Sequence, residues 1–171
     1  IVKSLTRRGA RVVQVPAKSS VKEILSHHPD GILLSNGPGD PAKLLFAQET
    51  IQKLLEEYEK PMFGICLGHQ LLALVAGAET FALPFGHRGG NVPVKDLFTE
   101  RAIVTSQNHG YAVKTSSIPA PWQPWFECLN DATNEGLRHP EKWVRSVQFH
   151  PEASPGPEDV QYLFDDFISA L

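Results

Sequence analysis

The chain has 171 residues and a net charge of −3, with 42% hydrophobic and 20% charged residues. These values are typical of one globular domain with a sizeable core. The sequence has no basic block, which argues against nucleic-acid binding as its main task. Its apolar runs fall well short of the roughly 20 residues that a membrane-spanning helix needs, and Arg7 and Arg8 interrupt the segment where a signal peptide would be apolar. We therefore expect a cytoplasmic protein that binds neither nucleic acid nor a membrane.

The two cysteines, Cys66 and Cys128, are too few for a disulfide scaffold and are typical of a reducing compartment. No Cys/His group in the sequence has the spacing of a zinc site, and the neighbouring pair His27 and His28 is expected to be solvated. The sequence therefore predicts no metal site.

The first third of the chain alternates between helical and strand patterns. In chain order, the patterns predict a helix over residues 1–8, a strand over 11–15, a helix over 20–25, a strand over 31–35 and a helix ending near residue 58. Ser20 is the expected N-cap of the second helix. Asp40 and Pro41 are the expected N-cap and first residue of the third.

The strand around residues 61–65 leads into a helix over 67–76, and beyond Gly77 the pattern changes to short strands separated by turns. A closing helix has apolar residues at helical spacing from Val160 to Leu171. The predicted fold is α/β, with a doubly wound, mostly parallel, flavodoxin-like sheet flanked by helices and a small antiparallel portion. Because such a sheet usually opens with a strand, we expect that a strand, and with it a whole domain, precedes Ile1 in a longer protein.

The stretch GICLGHQ, residues 64–70, is the first candidate for chemistry. It has the Gly-x-nucleophile-x-Gly form of a nucleophile elbow, in which a sharp strand-to-helix turn exposes the central residue. Helix formation directly after Cys66 would stabilise a thiolate, and the amide of Leu67 would face an oxyanion formed on an attacked carbonyl. The alternative is a small buried cysteine that fills a gap beneath the helix.

A catalytic cysteine needs a base, and His150 is the strongest candidate. It ends an apolar strand and has Glu152 two residues later, on the same side of an extended chain. A carboxylate beside an imidazole orients the ring and stabilises its protonated form. The alternative is a surface His–Glu pair at a strand end. Both Cys66 and His150 follow strands, where active sites of parallel sheets lie.

Two further segments are candidates for contacts with a substrate, and a third is a candidate for docking. Gly37 and Gly39 leave backbone amides bare in a loop after a strand, although a tight turn would explain them as well. Residues 108–111 bring polar groups together that could hold an amino-acid substrate, and the alternative is an ordinary turn. Residues 85–91 are flexible and basic in composition, which favours a docking or structural loop over a catalytic one.

Taken together, these segments closely resemble the triad type of class I glutamine amidotransferase, and within that class the glutaminase domain of carbamoyl-phosphate synthetase. The motifs appear in one order over nearly the whole chain: SNGPGDP, FGICLGHQLLAL, GHRGGNVPVKD, TSQNHGYAV, NEGLRH and SVQFHPEASPGP. The chain would then be one class I domain, residues 1–171, that lacks the small-subunit domain and the first strand of the family.

The resemblance implies a role for each site residue. Cys66 would attack the side-chain amide of L-glutamine, His150 would move protons, and Glu152 would orient His150. The amides of Gly39 and Leu67 would form the oxyanion hole. The residues that match glutamine-binding positions of the family are Gly37, Gly39, Leu67, Gln70, Asn108, Gly110 and Tyr111.

The resemblance also implies a partner. Ammonia would pass to a carbamoyl-phosphate synthetase large subunit or to a fused synthetase domain, which would use ATP, bicarbonate and Mg²⁺, and this domain itself would need no cofactor. Two alternatives stay open at this point: a γ-glutamyl hydrolase or peptidase on the same scaffold, and a non-catalytic regulatory domain.

Overall fold

A computed structural model describes residues 1–153 and 156–171 and shows a sheet with helices packed against it. The α-helices are α1 (Val2–Thr6), α2 (Val21–Ser26), α3 (Leu45–Glu57), α4 (Leu67–Val75) and α5 (Tyr162–Ser169). The strands are β1 (Ile32–Leu34), β2 (Met62–Ile65), β3 (Thr80–Asp96), β4 (Ala102–Val113), β5 (Gln123–Cys128), β6 (Asn134–Arg138) and β7 (Val144–Val147). The chain is therefore an α/β protein, as the sequence predicts.

The sheet has the strand order β1-β2-β7-β6-β4-β3-β5. Among the residues that the structure describes, the parallel pairings are β1 with β2 and β2 with β7, which place Met62 opposite both Ile32 and Val144. The remaining described pairings are antiparallel, and β5 also pairs with β6, so that β6, β4, β3 and β5 curl into a barrel-like closure. The predicted mostly parallel, flavodoxin-like sheet is thus not confirmed, because the long β3–β4 pairing makes the antiparallel portion the larger one.

Helices cover both faces of the parallel portion because successive side chains of a strand point to opposite faces. Phe63 lies in one apolar cluster with residues of α1 and α5, including Leu5 and Phe167. Met62, the preceding residue, lies in a second cluster with residues of α3 and α4. The end of β2 therefore lies between two layers of helices.

Three local predictions differ from the structure. Residues 11–15, predicted as a strand, pair with no strand in the described part of the chain, and Val12 packs against the first apolar cluster instead. Residues 85–91, expected to be a loop, lie within β3, and residues 108–111, weighed as a turn, lie within β4. Register shifts in β3 after Ala82 and after Gly89 interrupt the two-residue alternation, which is why one strand has the sequence pattern of several.

The predicted helix starts are largely confirmed. Ser20 Oγ accepts a hydrogen bond from the amide of Glu23 at 3.2 Å and caps α2. Asp40 caps a turn that begins at Pro41, but this turn is a short 3₁₀ helix and α3 begins only at Leu45. None of the helices in the described ranges has the length and apolar character required to cross a membrane.

Candidate active site

Cys66 occupies the single residue between β2 and α4. Its backbone has φ 52° and ψ −103°, a combination that is strained for any residue with a side chain. The Cys66 amide donates to the carbonyl of Val147 at 2.9 Å, which extends the β2–β7 pairing up to the turn. The sheet therefore holds the strained backbone in place at the end of a central parallel strand.

Glycines on both sides of Cys66 make the sharp turn possible. A Cβ atom on Gly68 would lie 2.2 Å from the carbonyl oxygen of Leu34 in β1. A Cβ atom on Gly64 would lie 2.9 Å from the backbone carbonyl of Gly68. Real Cβ atoms do not approach backbone atoms so closely, so α4 can begin against the sheet only because both positions are glycine.

His150 reaches the same end of the sheet from β7. The chain after β7 runs beside two other strands, where the amide of Gln148 donates to the carbonyl of Glu135 and the amide of His150 donates to the carbonyl of Ser106. His150 Nδ1 and Glu152 Oε1 are 2.9 Å apart. Hydrogen bonding to the Cys66 side chain and then to Glu152 raises the pKa of His150 to about 10.

This geometry brings the three predicted catalytic residues together. Because Nδ1 of His150 is bonded to Glu152, its other ring nitrogen is the one available to the Cys66 sulfur. A protonated imidazole beside a sulfur stabilises the thiolate, and a carboxylate on the far side stabilises the imidazolium. The arrangement can therefore place a nucleophile and a proton donor beside the same functional group of a substrate.

Backbone amides suited to an oxyanion lie beside Cys66. Leu67 is the first residue of α4, so no preceding helical carbonyl accepts its amide hydrogen. A Cβ atom on Gly37 would lie 2.8 Å from Leu67 Cδ2, which shows that the loop after β1 packs on the start of α4. Gly39 in this loop has φ +103° and open space where a side chain would be. The loop and the helix start thus meet at the sheet edge that carries Cys66.

The other residues predicted to bind glutamine lie on α4 and β4. Gln70, which is 3% exposed, donates from Nε2 to the carbonyl of Tyr111 at 2.8 Å and to Gln148 Oε1 at 3.0 Å. Its carboxamide therefore ties α4 to β4 and to the segment that leads to His150. Asn108 is exposed and Gly110 is partly exposed, and both alternate along β4 with buried residues.

The sequence analysis missed a polar cluster inside the antiparallel portion, which we call the His–Glu cluster: His87, Gln107, His109, Asp131 and Glu135. Gln107 and His109 lie on one face of β4, His87 on β3 and Glu135 on β6. Glu135 is fully buried. Alternation of polar residues in the stretch TSQNH was the available signal, but from the sequence its last residues are interpreted as a substrate contact or a turn and not as the buried face of a strand.

Comparison with known proteins places this geometry in a family. Residues 1–170 match the family model described as "Glutamine amidotransferase class-I". The chain is 51% identical over 168 residues to the carbamoyl phosphate synthase small chain of Methanocaldococcus jannaschii, covering 98% of this chain and 47% of that protein. It is 51% identical over 171 residues to the corresponding chain of Salmonella typhimurium, covering all of this chain and 44% of that protein.

A third relative is the arginine-specific carbamoyl phosphate synthase small chain of Neosartorya fischeri, 48% identical over 171 residues, or all of this chain and 38% of that protein. The chain thus spans less than half the length of these relatives. The solved structure of a proposed GMP synthase component from Thermoplasma acidophilum matches the fold with a TM-score of 0.85 at 22% identity, covering 98% of this chain and 84% of that one. The strained cysteine turn, the adjacent His–Glu pair and these matches lead to one conclusion: the chain belongs to the class I glutamine amidotransferases.

Proposed function

We propose that the chain hydrolyses the side-chain amide of L-glutamine and supplies the released ammonia to carbamoyl-phosphate synthesis. The observation that carries this proposal is the pairing of His150 Nδ1 with Glu152 Oε1 at 2.9 Å at the sheet edge that carries Cys66, whose side chain raises the pKa of His150. The family of the chain and the names of its relatives support the choice of substrate and pathway.

The proposed reaction has two steps. The Cys66 thiolate attacks the amide carbon of glutamine, and the amides of Leu67 and Gly39 stabilise the negative oxygen that forms. The imidazolium of His150 donates its proton to the amide nitrogen, the carbon–nitrogen bond breaks, and ammonia leaves behind a γ-glutamyl thioester. His150 then takes a proton from water, and the resulting hydroxide attacks the thioester carbon. The carbon–sulfur bond breaks, glutamate leaves, and the Cys66 thiolate and the His150 imidazolium are restored.

The remaining predicted residues would bind the glutamine backbone and position the amide. Asn108 and Gly110 lie on one side of β4, Tyr111 follows them in the strand, and Gly37 lies in the loop against α4. Since Gln70 donates to the Tyr111 carbonyl, we propose that it acts partly by holding this strand beside the helix. These chemical steps need no cofactor in this domain.

The partner follows from the relatives rather than from the chain itself. We propose that residues 1–171 form one class I domain of a longer cytoplasmic protein. Its ammonia would pass to a carbamoyl-phosphate synthetase large subunit or to a fused synthetase domain. ATP, bicarbonate and Mg²⁺ would be used there, since the small chains of the relatives are named as parts of that enzyme.

The test is glutamate release from glutamine by this chain, alone and with a purified synthetase partner and ATP. We expect Cys66→Ala to abolish release and Cys128→Ala, a matched change at the other buried cysteine, to preserve it. Release should rise when partner and ATP are added. Release that persists in Cys66→Ala would refute the triad. Equal release with and without partner, together with cleavage of γ-glutamyl peptides, would instead identify a free-standing γ-glutamyl hydrolase.

A further inference from the structure

The His–Glu cluster contains two imidazole rings, and one nitrogen of each ring is already in a hydrogen bond with an oxygen atom outside the centre of the cluster. His109 Nδ1 lies 2.8 Å from the carbonyl oxygen of Tyr111. His87 Nε2 lies 2.9 Å from Asp131 Oδ2. A backbone carbonyl or a carboxylate on one ring nitrogen is the usual outer support of a histidine whose other nitrogen binds a metal ion.

The two remaining ring nitrogens point toward the same oxygen atoms. Glu135 Oε1 lies 3.4 Å from His87 Nδ1 and 3.9 Å from His109 Nε2. Gln107 Oε1 lies 2.9 Å from each of these nitrogens. In a tetrahedral zinc site, with bonds of about 2.0–2.2 Å, neighbouring ligand atoms are about 3.3 Å apart. The two distances from Gln107 Oε1 are shorter than this value, and the two distances from Glu135 Oε1 are longer.

Hydrogen bonds alone do not satisfy the cluster. Glu135 Oε1 is buried and accepts no well-aligned hydrogen bond in the described residues, and the two ring nitrogens lie 3.4 and 3.9 Å from it. A neutral His109 can donate from only one ring nitrogen, yet both of its nitrogens face oxygen atoms, so one acceptor–acceptor contact remains in either tautomer. A second proton would remove the conflict, but the His109 side chain is 2% exposed and burial opposes its charged form.

We propose that His87 Nδ1, His109 Nε2 and Glu135 Oε1 bind a divalent transition-metal ion, for which Zn²⁺ is the best fit. Two imidazoles and one carboxylate favour Zn²⁺ over Mg²⁺ or Ca²⁺, which prefer oxygen ligands. Gln107 Oε1 is available for the fourth position. The ion would join β3, β4 and β6 and stiffen the strand that carries Asn108 and Gly110.

This site departs from the sequence-based expectation of no metal, because its ligands come from three strands that only the fold brings together. It is also separate in role from the proposed hydrolysis, in which Cys66, His150 and Glu152 act without a metal. An ion would reach the cluster past His87, whose side chain is 13% exposed, and Asp131, whose side chain is 39% exposed.

The test is metal binding by the full chain carrying Cys66→Ala, which removes the active-site thiol as a competing ligand. After treatment with a chelator, the protein is titrated with Zn²⁺ against a chromophoric chelator, and with Co²⁺ while its visible absorption spectrum is recorded. We expect one ion per chain and a Co²⁺ spectrum typical of mixed nitrogen and oxygen ligands. Absence of binding would overturn the proposal.

Variants assign the ligands. His87→Ala should abolish binding, and Asp131→Asn should weaken it by about 10–100-fold, as loss of an outer carboxylate does at other metal sites. His28→Ala, at an exposed histidine, and Cys128→Ala, near the cluster, should leave the affinity unchanged. If His87→Ala fails to fold, the partly exposed Asp131→Asn decides the matter. Unchanged affinity in Asp131→Asn, or loss of binding in Cys128→Ala or His28→Ala, would refute the ligand set.

Discussion

The strained backbone at Cys66 predicts an unusual response to glycine. Its φ of 52° with ψ of −103° mirrors a common extended conformation, which glycine adopts freely and other residues do not. Strain of this kind costs about 1–3 kcal/mol. Cys66→Gly should remove that cost, whereas Cys66→Ala should retain it, and both variants lack the thiol.

Cys128 is the matched control, because it is also a buried cysteine but has no positive φ. At either position, glycine loses about 0.5–1 kcal/mol to backbone entropy and about 0.8 kcal/mol for one buried carbon relative to alanine. These costs cancel when the two sites are compared. The glycine-minus-alanine difference in the free energy of unfolding should therefore be about 1–3 kcal/mol more favourable at Cys66 than at Cys128.

Urea unfolding of the four variants, followed by tryptophan fluorescence, measures this double difference. Trp125 and Trp143 pack in the first apolar cluster, the one that contains Phe63, so their emission reports the unfolding of that cluster. A double difference near zero, or of opposite sign, would show that the turn stores no strain and would refute the reasoning. All variants at Cys66 should lack glutaminase activity regardless of their stability.

Three other perturbations test the packing and the charges around the site. Gly68→Ala should destabilise the fold by about 1–3 kcal/mol, since the new Cβ meets a backbone oxygen, although helix propensity alone predicts a gain of about 1 kcal/mol. Gly90→Ala, with open space around it, should be nearly neutral. In Glu152→Gln, the pKa of His150 should fall below its value of about 10, as measured by NMR titration of the imidazole. Gln70→Leu should cost about 1–3 kcal/mol by leaving Oε1 of the buried Gln148 without its hydrogen-bond donor, and it should raise KM for glutamine.

The sign of the pH effect follows from the raised pKa of His150. The folded state holds this proton more tightly than the unfolded chain, so the contribution of His150 to stability is complete below pH 6.5 and disappears as the pH rises toward about 10. In Glu152→Gln the loss should begin at a lower pH. An unchanged or higher His150 pKa in Glu152→Gln would contradict the assigned pair. A stabilised Gly68→Ala, or an unchanged KM in Gln70→Leu, would refute the corresponding contact.

The proposed catalytic residues could be predicted from the sequence because local patterns identify them. Cys66 lies between two glycines at a strand-to-helix junction, and Glu152 follows His150 at the spacing that puts both side chains on one side of an extended chain. The same holds for the cap at Ser20, which depends on residues only three apart. In each case the residues that define the feature are close in the chain, so the sequence pattern alone predicts how their side chains are placed.

The strand pairing and the His–Glu cluster were decided by tertiary structure alone. Register shifts in β3 hide a long strand behind an irregular pattern, and the barrel-like closure depends on β5 meeting β6. His87, His109 and Glu135 become neighbours only through that closure. Their spacing along the chain therefore does not predict that they lie together. Local sequence thus determined the proposed nucleophile and its proposed base. The environment inside the sheet arose from contacts between distant strands, because a period-two pattern does not specify which strands pair.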